Sequence, residues 1–100
     1  MSPANRNWTL TKAAVRDLET IWRYTFERWS AAQADSYHND IIDMFNHLAA
    51  GRRRGRVIKA PGAVYSVCAI GSHNIFFREE KLRIVIVRIL HNRMDPSRHL

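Results

Sequence analysis

The stretch Arg83–Leu90, R-I-V-I-V-R-I-L, decides the fold. Ile84 and Ile86, with their neighbours Val85 and Val87, and then Ile89 make a nearly unbroken run of β-branched residues, which predicts a central strand covered on both faces. Such a strand needs partners beside it and a layer above it. Upstream, Val64–Ile70 and Asn74–Arg78 are rich in β-branched and aromatic residues and are separated by a turn at Gly71 and Ser72. Glu79, Glu80 and Lys81 then lead into the third strand, after an entry turn at Pro61 and Gly62 ahead of the first. Three successive strands with short links predict an antiparallel meander.

The first half of the chain supplies the covering layer. Ala14, Leu18, Ile21, Trp22, Thr25 and Trp29 recur at intervals of three and four, which aligns them on one face of a helix over roughly Lys12–Arg28. Thr11 is competent to cap it, and Trp8–Leu10 reads as a short first strand after a polar leader carrying Pro3 and Asn5. Ser30 is a second N-cap, followed by an apolar face of Ala34, Tyr37, Ile41, Met44, Phe45 and Leu48 that ends at Gly51. The brief connection makes the two helices an antiparallel hairpin. The fold class is therefore α+β: a strand, an antiparallel helical hairpin, then a three-stranded antiparallel meander, all in one twisted sheet with the helices on one side.

A chain of 100 residues is one domain with one core, and no repeat divides it. No apolar run approaches the roughly 18 residues that span a bilayer, and the N-terminus lacks the order of a signal peptide, so a cytoplasmic location is expected and no membrane. Lone Cys68 fits a reducing compartment and reads as a buried, inert thiol. Sixteen Lys and Arg against nine Asp and Glu give a formal charge of +7, mostly arginine. For any one arginine, solubility is explanation enough. Seven excess charges on so small a domain point instead to an acidic partner, a nucleic acid or an acidic protein segment.

Catalytic signatures are missing. There is no Walker loop, GxSxG, dinucleotide fingerprint or catalytic carboxylate pair, and the five histidines show no metal-ligand spacing, so neither a cofactor nor a metal is expected. Arg52, Arg53, Arg54 and Arg56 form a basic connection between the second helix and the sheet. Arg78, Arg88 and Arg93 fall in or beside the strands, and Arg88, inside the central one, requires a carboxylate or a groove. His91 and His99 lie near Arg93, Asp95 and Arg98, where they serve either proton transfer or the fastening of the C-terminal segment, the latter being the commoner use. Trp22, Tyr24, Phe26 and Trp29 offer more aromatic surface than one helix stripe buries, so Tyr24 and Phe26 should edge a groove between helix and sheet.

The order LTKAAVRDLETIWRYTFERW, then QADSY, and above all GSHNIFFR and IVRILHNRMDPSRHL resemble the ParE toxins of type II toxin-antitoxin modules, in the RelE/ParE superfamily, from Leu10 to Leu100. The resemblance implies a toxin that inhibits DNA gyrase and replication by binding, without being an enzyme. It also implies neutralisation by a ParD-like antitoxin in a hetero-oligomer, with operator DNA reached only through that antitoxin. Leu18, Ile21, Trp22, Tyr24, Trp29, Arg54 and Arg56 are the expected antitoxin contacts; Arg78, Arg88, His91, Arg93 and Asp95 are the expected target-binding or C-terminal motif. The alternative is a ribosome-dependent mRNA endonuclease like the RelE branch, using Arg54, Lys59, Arg78 and His91.

Overall fold

The computed structural model describes residues 6–60 and 62–100. The expected leader with Pro3 and Asn5, and Pro61 of the expected turn, lie outside the described residues. Strand β1 (Asn7–Leu10) leads into helix α1 (Lys12–Arg28), and α2 (Ala31–Ala49) follows. The caps are the residues the sequence offers. Thr11 Oγ1 accepts from the N–H of Ala14 at 3.0 Å, and Ser30 Oγ accepts from that of Gln33 at 3.0 Å. Thr11 does a second job: its hydroxyl donates to the carbonyl of Val87 at 2.7 Å, fastening the start of α1 to the sheet. Beyond α2, Gly51 takes φ +78, the left-handed conformation that glycine adopts without strain.

Four strands follow the hairpin: β2 (Arg56–Ala60), β3 (Ala63–Ile70), β4 (His73–Glu79) and β5 (Arg83–His91), then a 3-10 turn at Pro96–Arg98. The three strands read from the sequence are present, and β2 extends the meander by one. It hides in the sequence because RVIKA is short and carries two cations, the character of an edge strand that resists further pairing. Arg56, expected in a connection, thus opens a strand and remains exposed. The sheet order is β1-β5-β4-β3-β2. β5 lies between β1, parallel to it, and β4, antiparallel, which places the Arg83–Leu90 run in the sheet interior.

The two helices cover one sheet face. Leu18, Ile21, Ile41, Phe45 and Leu48 pack there against Cys68, Ile75, Phe77, Ile84, Ile86 and Ile89. Burial of this apolar surface is the main favourable term in folding. The opposite face has a smaller cluster of Val67, Phe76 and Leu90, closed by Ile58 and Leu100. One irregularity connects the two faces. A register shift pairs Phe76 with Arg88 but Phe77 with Ile86, so Val87 is extra in β5. Ile84 and Ile86 face the helices before the bulge and Ile89 does so after it, while Leu90 joins the second cluster.

Candidate functional site

β1 pairs with β5 only as far as Ile86, where the chain leaves the sheet to begin α1. Past that point Asp17 of α1 takes over the bare edge. Its Oδ2 accepts from the Ile89 N–H (2.9 Å) and from Arg88 Nε (2.8 Å), while Oδ1 accepts from Arg88 Nη2 (2.9 Å). This bidentate pair is the carboxylate that an arginine in an interior strand requires. The Asp17 hydrogen bonds raise the pKa of Arg88, which is charged at every relevant pH. Arg88 Nη1 donates to the carbonyl of His99 at 3.0 Å, so one guanidinium connects helix, sheet and C-terminal segment.

Next to this latch a cleft opens between α1 and the far end of β4 and β5. Its inner part, about 380 Å³, is lined by Asp17, Ile21, Tyr24, His73, Ile89, His91, Arg93 and Met94. Its outer part, about 390 Å³, continues past Arg28, Trp29, Gln33 and Tyr37, and the two share Tyr24, His73 and His91. The floor is a cross-strand histidine pair, His73 opposite His91, with ring centroids 5.4 Å apart and nearly perpendicular. Burial, then the neighbouring His91, push the pKa of His73 down to about 4, against the pull of Asp17. The ring is therefore neutral near pH 7, with Nδ1 2.6 Å from the Tyr37 hydroxyl. His91 Nδ1 accepts the backbone N–H of Arg93 at 3.1 Å, which places a ring proton on Nε2. The mouth is cationic and aromatic: Arg28 lies 5.6 Å above the ring of Tyr24, and Arg93 borders the inner part.

A second groove, about 570 Å³, runs along the outside of the hairpin past Val15, Leu18, Trp22 and His38, with Glu19, Arg23 and Asp35 at its rim. Trp22 stacks on Phe26 (centroids 5.3 Å apart, planes at 8°), and its Nε1 donates to Asp35 at 2.9 Å. Phe26 is thus turned to Trp22 and lines neither part of the helix–sheet cleft; Tyr24 alone of that pair edges it.

Residues 9–96 match the family described as the ParE toxin of the type II toxin-antitoxin system, parDE. The chain belongs to the ParE toxin family. It is 36% identical over 94 residues to Toxin ParE1 of Mycobacterium tuberculosis, covering 93% of this chain and 96% of that protein. It is 33% identical over 93 residues to Toxin ParE1 of Caulobacter vibrioides, with the same coverage. Among solved structures, a chain described as the chromosomal ParDE TA system from P. aeruginosa superposes with a TM-score of 0.73 at 22% identity, covering 87% of this chain and 96% of that one, a likeness of fold.

Seen as a ParE toxin, the chain gathers some of the expected site residues and separates others. Ile21, Tyr24, Trp29, His91 and Arg93 share the helix–sheet cleft. Leu18 and Ile21 are mostly core, each showing only an edge to a hollow. Asp95 shapes the C-terminal segment: its Oδ1 accepts from the N–H and the hydroxyl of Ser97, which holds its carboxyl below the usual range. Arg54 and Arg56 do not join the aromatic face. β2 is three strands from β5, roughly 14 Å at about 4.8 Å per strand. Arg78 sits opposite Val85, six residues and about 20 Å along β5 from His91. Asp17 had no sequence signal beyond being one acid on a polar helix face; only the demand of Arg88 for a carboxylate pointed to its existence. No helix among the described residues is long and apolar enough to cross a membrane.

Proposed function

We propose that this ParE-family toxin arrests growth by binding DNA gyrase in the cytoplasm and blocking replication, with no bond chemistry of its own. A ParD-like antitoxin neutralises it in a hetero-oligomer by laying an acidic, amphipathic segment into the helix–sheet cleft, and that antitoxin carries the contact with operator DNA. The observation that carries this reading is the cleft itself. Apolar Ile21, Ile89 and Met94, aromatic Tyr24 and Trp29, cationic Arg28 and Arg93, and the His91 Nε2 donor line two adjoining hollows that share Tyr24, His73 and His91. Such a lining suits carboxylates spaced among apolar side chains, and a flexible segment gains there the contacts that offset its ordering. Trp22, in the hairpin groove, extends the same docking surface.

The RelE-like reading draws on Arg54, Lys59, Arg78 and His91, and their placement does not favour it. Lys59 pairs with Val64, level with the Arg78 end of the sheet, while His91 occupies the opposite end. Phosphate clamps and a proton carrier must converge within hydrogen-bond reach of one substrate. The deciding experiment adds purified toxin to gyrase and follows supercoiling and cleaved DNA, with ribosome-bound message as the parallel substrate. Loss of supercoiling that is restored by antitoxin supports the proposal. Unchanged supercoiling at large excess, with cuts in the message, overturns it.

A further inference from the structure

Charge is divided between the two layers. Residues 1–50 carry five Lys and Arg against six Asp and Glu, whereas residues 51–100 carry eleven against three, so the helical half is net −1 and the sheet half +8. The three acids of the sheet half are already engaged: Glu79 with Arg6, Glu80 with Arg83 and Asp95 with Arg98. Uncompensated charge collects at the free edge of β2. Arg52, Arg54, Arg56 and Lys59 are all exposed there, and none forms an ion pair among the described residues. Arg53 is different, since its guanidinium reaches the Cys68 thiol.

The backbone beneath these cations is fixed. The N–H groups of Arg52 and Arg53 both donate to the carbonyl of His47, and the Cβ position of Gly55 lies against the Phe77 ring, so the loop is held to the core. Arg56 and Lys59 project from opposite faces of a strand whose outer edge has no neighbouring strand among the described residues. The result is a cationic ridge along loop and strand, some 20 Å long at about 3.3 Å per residue. None of Arg52, Arg54 or Arg56 borders the helix–sheet cleft or the hairpin groove.

We infer that this ridge binds the phosphate backbone of double-stranded DNA directly, independent of sequence, as a contact of the toxin itself. Exposed cations that follow one another along loop and edge strand, on both of its faces, can straddle a line of phosphates, and arginine recognises phosphate bidentately. An acidic amphipathic polypeptide needs an apolar hollow beneath its charges, and of the four cations only Lys59 borders one, the hollow of about 440 Å³ beside Ile58, Ala60, Tyr65 and Leu100; Arg52, Arg54 and Arg56 stand outside it. In the complex with antitoxin, the ridge adds phosphate contacts beside those of the antitoxin and strengthens operator occupancy.

The test is fluorescence anisotropy of the full-length toxin with a labelled duplex of mixed sequence across a salt series. Four cations on four phosphates give a slope of log K against log salt near −3.6, at about −0.9 per contact. Affinity then falls about 100-fold between 50 and 200 mM salt. Arg54→Gln with Arg56→Gln should halve that slope, while the charge-matched pair Lys12→Gln with Arg16→Gln on α1 leaves it unchanged. Circular dichroism melting of each variant separates loss of binding from loss of fold. No duplex binding at 50 mM salt overturns the inference. So does equal weakening by the α1 pair, which means diffuse charge, or capture of an acidic extended peptide in place of DNA.

Discussion

Asp17 and Arg88, 71 residues apart, form a bidentate ion pair at the point where β1 leaves β5, and the same carboxylate accepts from the N–H of Ile89. A helix side chain thereby completes a sheet edge. Because Arg88 also donates to the carbonyl of His99, this pair ties the end of the C-terminal segment to α1 and the sheet.

Arg88→Ala leaves a mostly buried carboxylate with only Ile89 N as partner and releases the carbonyl of His99. A loss of about 2–3 kcal/mol is expected in urea unfolding, the scale of charge-assisted hydrogen bonds. Arg88→Lys restores less than half, since an ammonium cannot make the fork. Coupling near zero in a double-mutant cycle with Asp17→Asn would contradict this account.

His73 gives the molecule an acid-sensitive element. Its folded pKa is about 4, below the unfolded value of 6.5, so the unfolded chain binds the extra proton between them. Stability from this group is fully present above pH 6.5 and drains away as pH falls toward 4. The ring keeps some solvent contact, so the loss is on the order of 1–2 kcal/mol, less than the full conversion of the shift. His73→Gln should flatten this limb of the stability profile relative to wild type. Parallel limbs in the two proteins would rule His73 out as its source.

Trp29 is 71% exposed at the C-terminal cap of α1, with its indole at the outer cleft. Trp29→Ala should leave the melting temperature within about 2 °C, because the fold gains little from it. Antitoxin affinity should fall tenfold or more by calorimetry, the usual consequence of truncating a large aromatic anchor. Wild-type affinity would remove the outer cleft from the docking surface.

Gly55 has no room for a methyl group. A Cβ there would sit 2.8 Å from the Phe77 ring and 2.9 Å from Ser66 Cβ, both in the packed interior. Gly55→Ala should cost about 1–3 kcal/mol through overpacking. Since the same residue presents the arginine loop, duplex binding should weaken with it, and a stability equal to wild type would show that the loop shifts freely.

The helices and the central strand were legible because their signals are local. Thr11, Ser30 and Gly51 mark helix ends by their own backbone chemistry, and the spacing of Leu18, Ile21, Ile41 and Phe45 marks the buried faces. β2 was not legible, because an edge strand is made by its neighbour's hydrogen bonds, and RVIKA alone resembles a charged loop. Arg54 and Arg56, named with Trp22 and Tyr24 among the expected antitoxin contacts, lie away from the cleft and the hairpin groove for the same reason. Strand order, which places β2 at the far edge, is a property of pairing across the chain.

By itself, then, the sequence determined the two helices and the strands other than β2, which residues turn inward, and that Arg88 must find a carboxylate or a groove. Tertiary structure alone decided that the partner is Asp17, that His73 and His91 face each other across two strands, and that the cations divide between cleft and ridge. Periodicity encodes the direction of a side chain along its own element. The distance between side chains on different elements depends on how those elements pack, and only the folded chain holds that information.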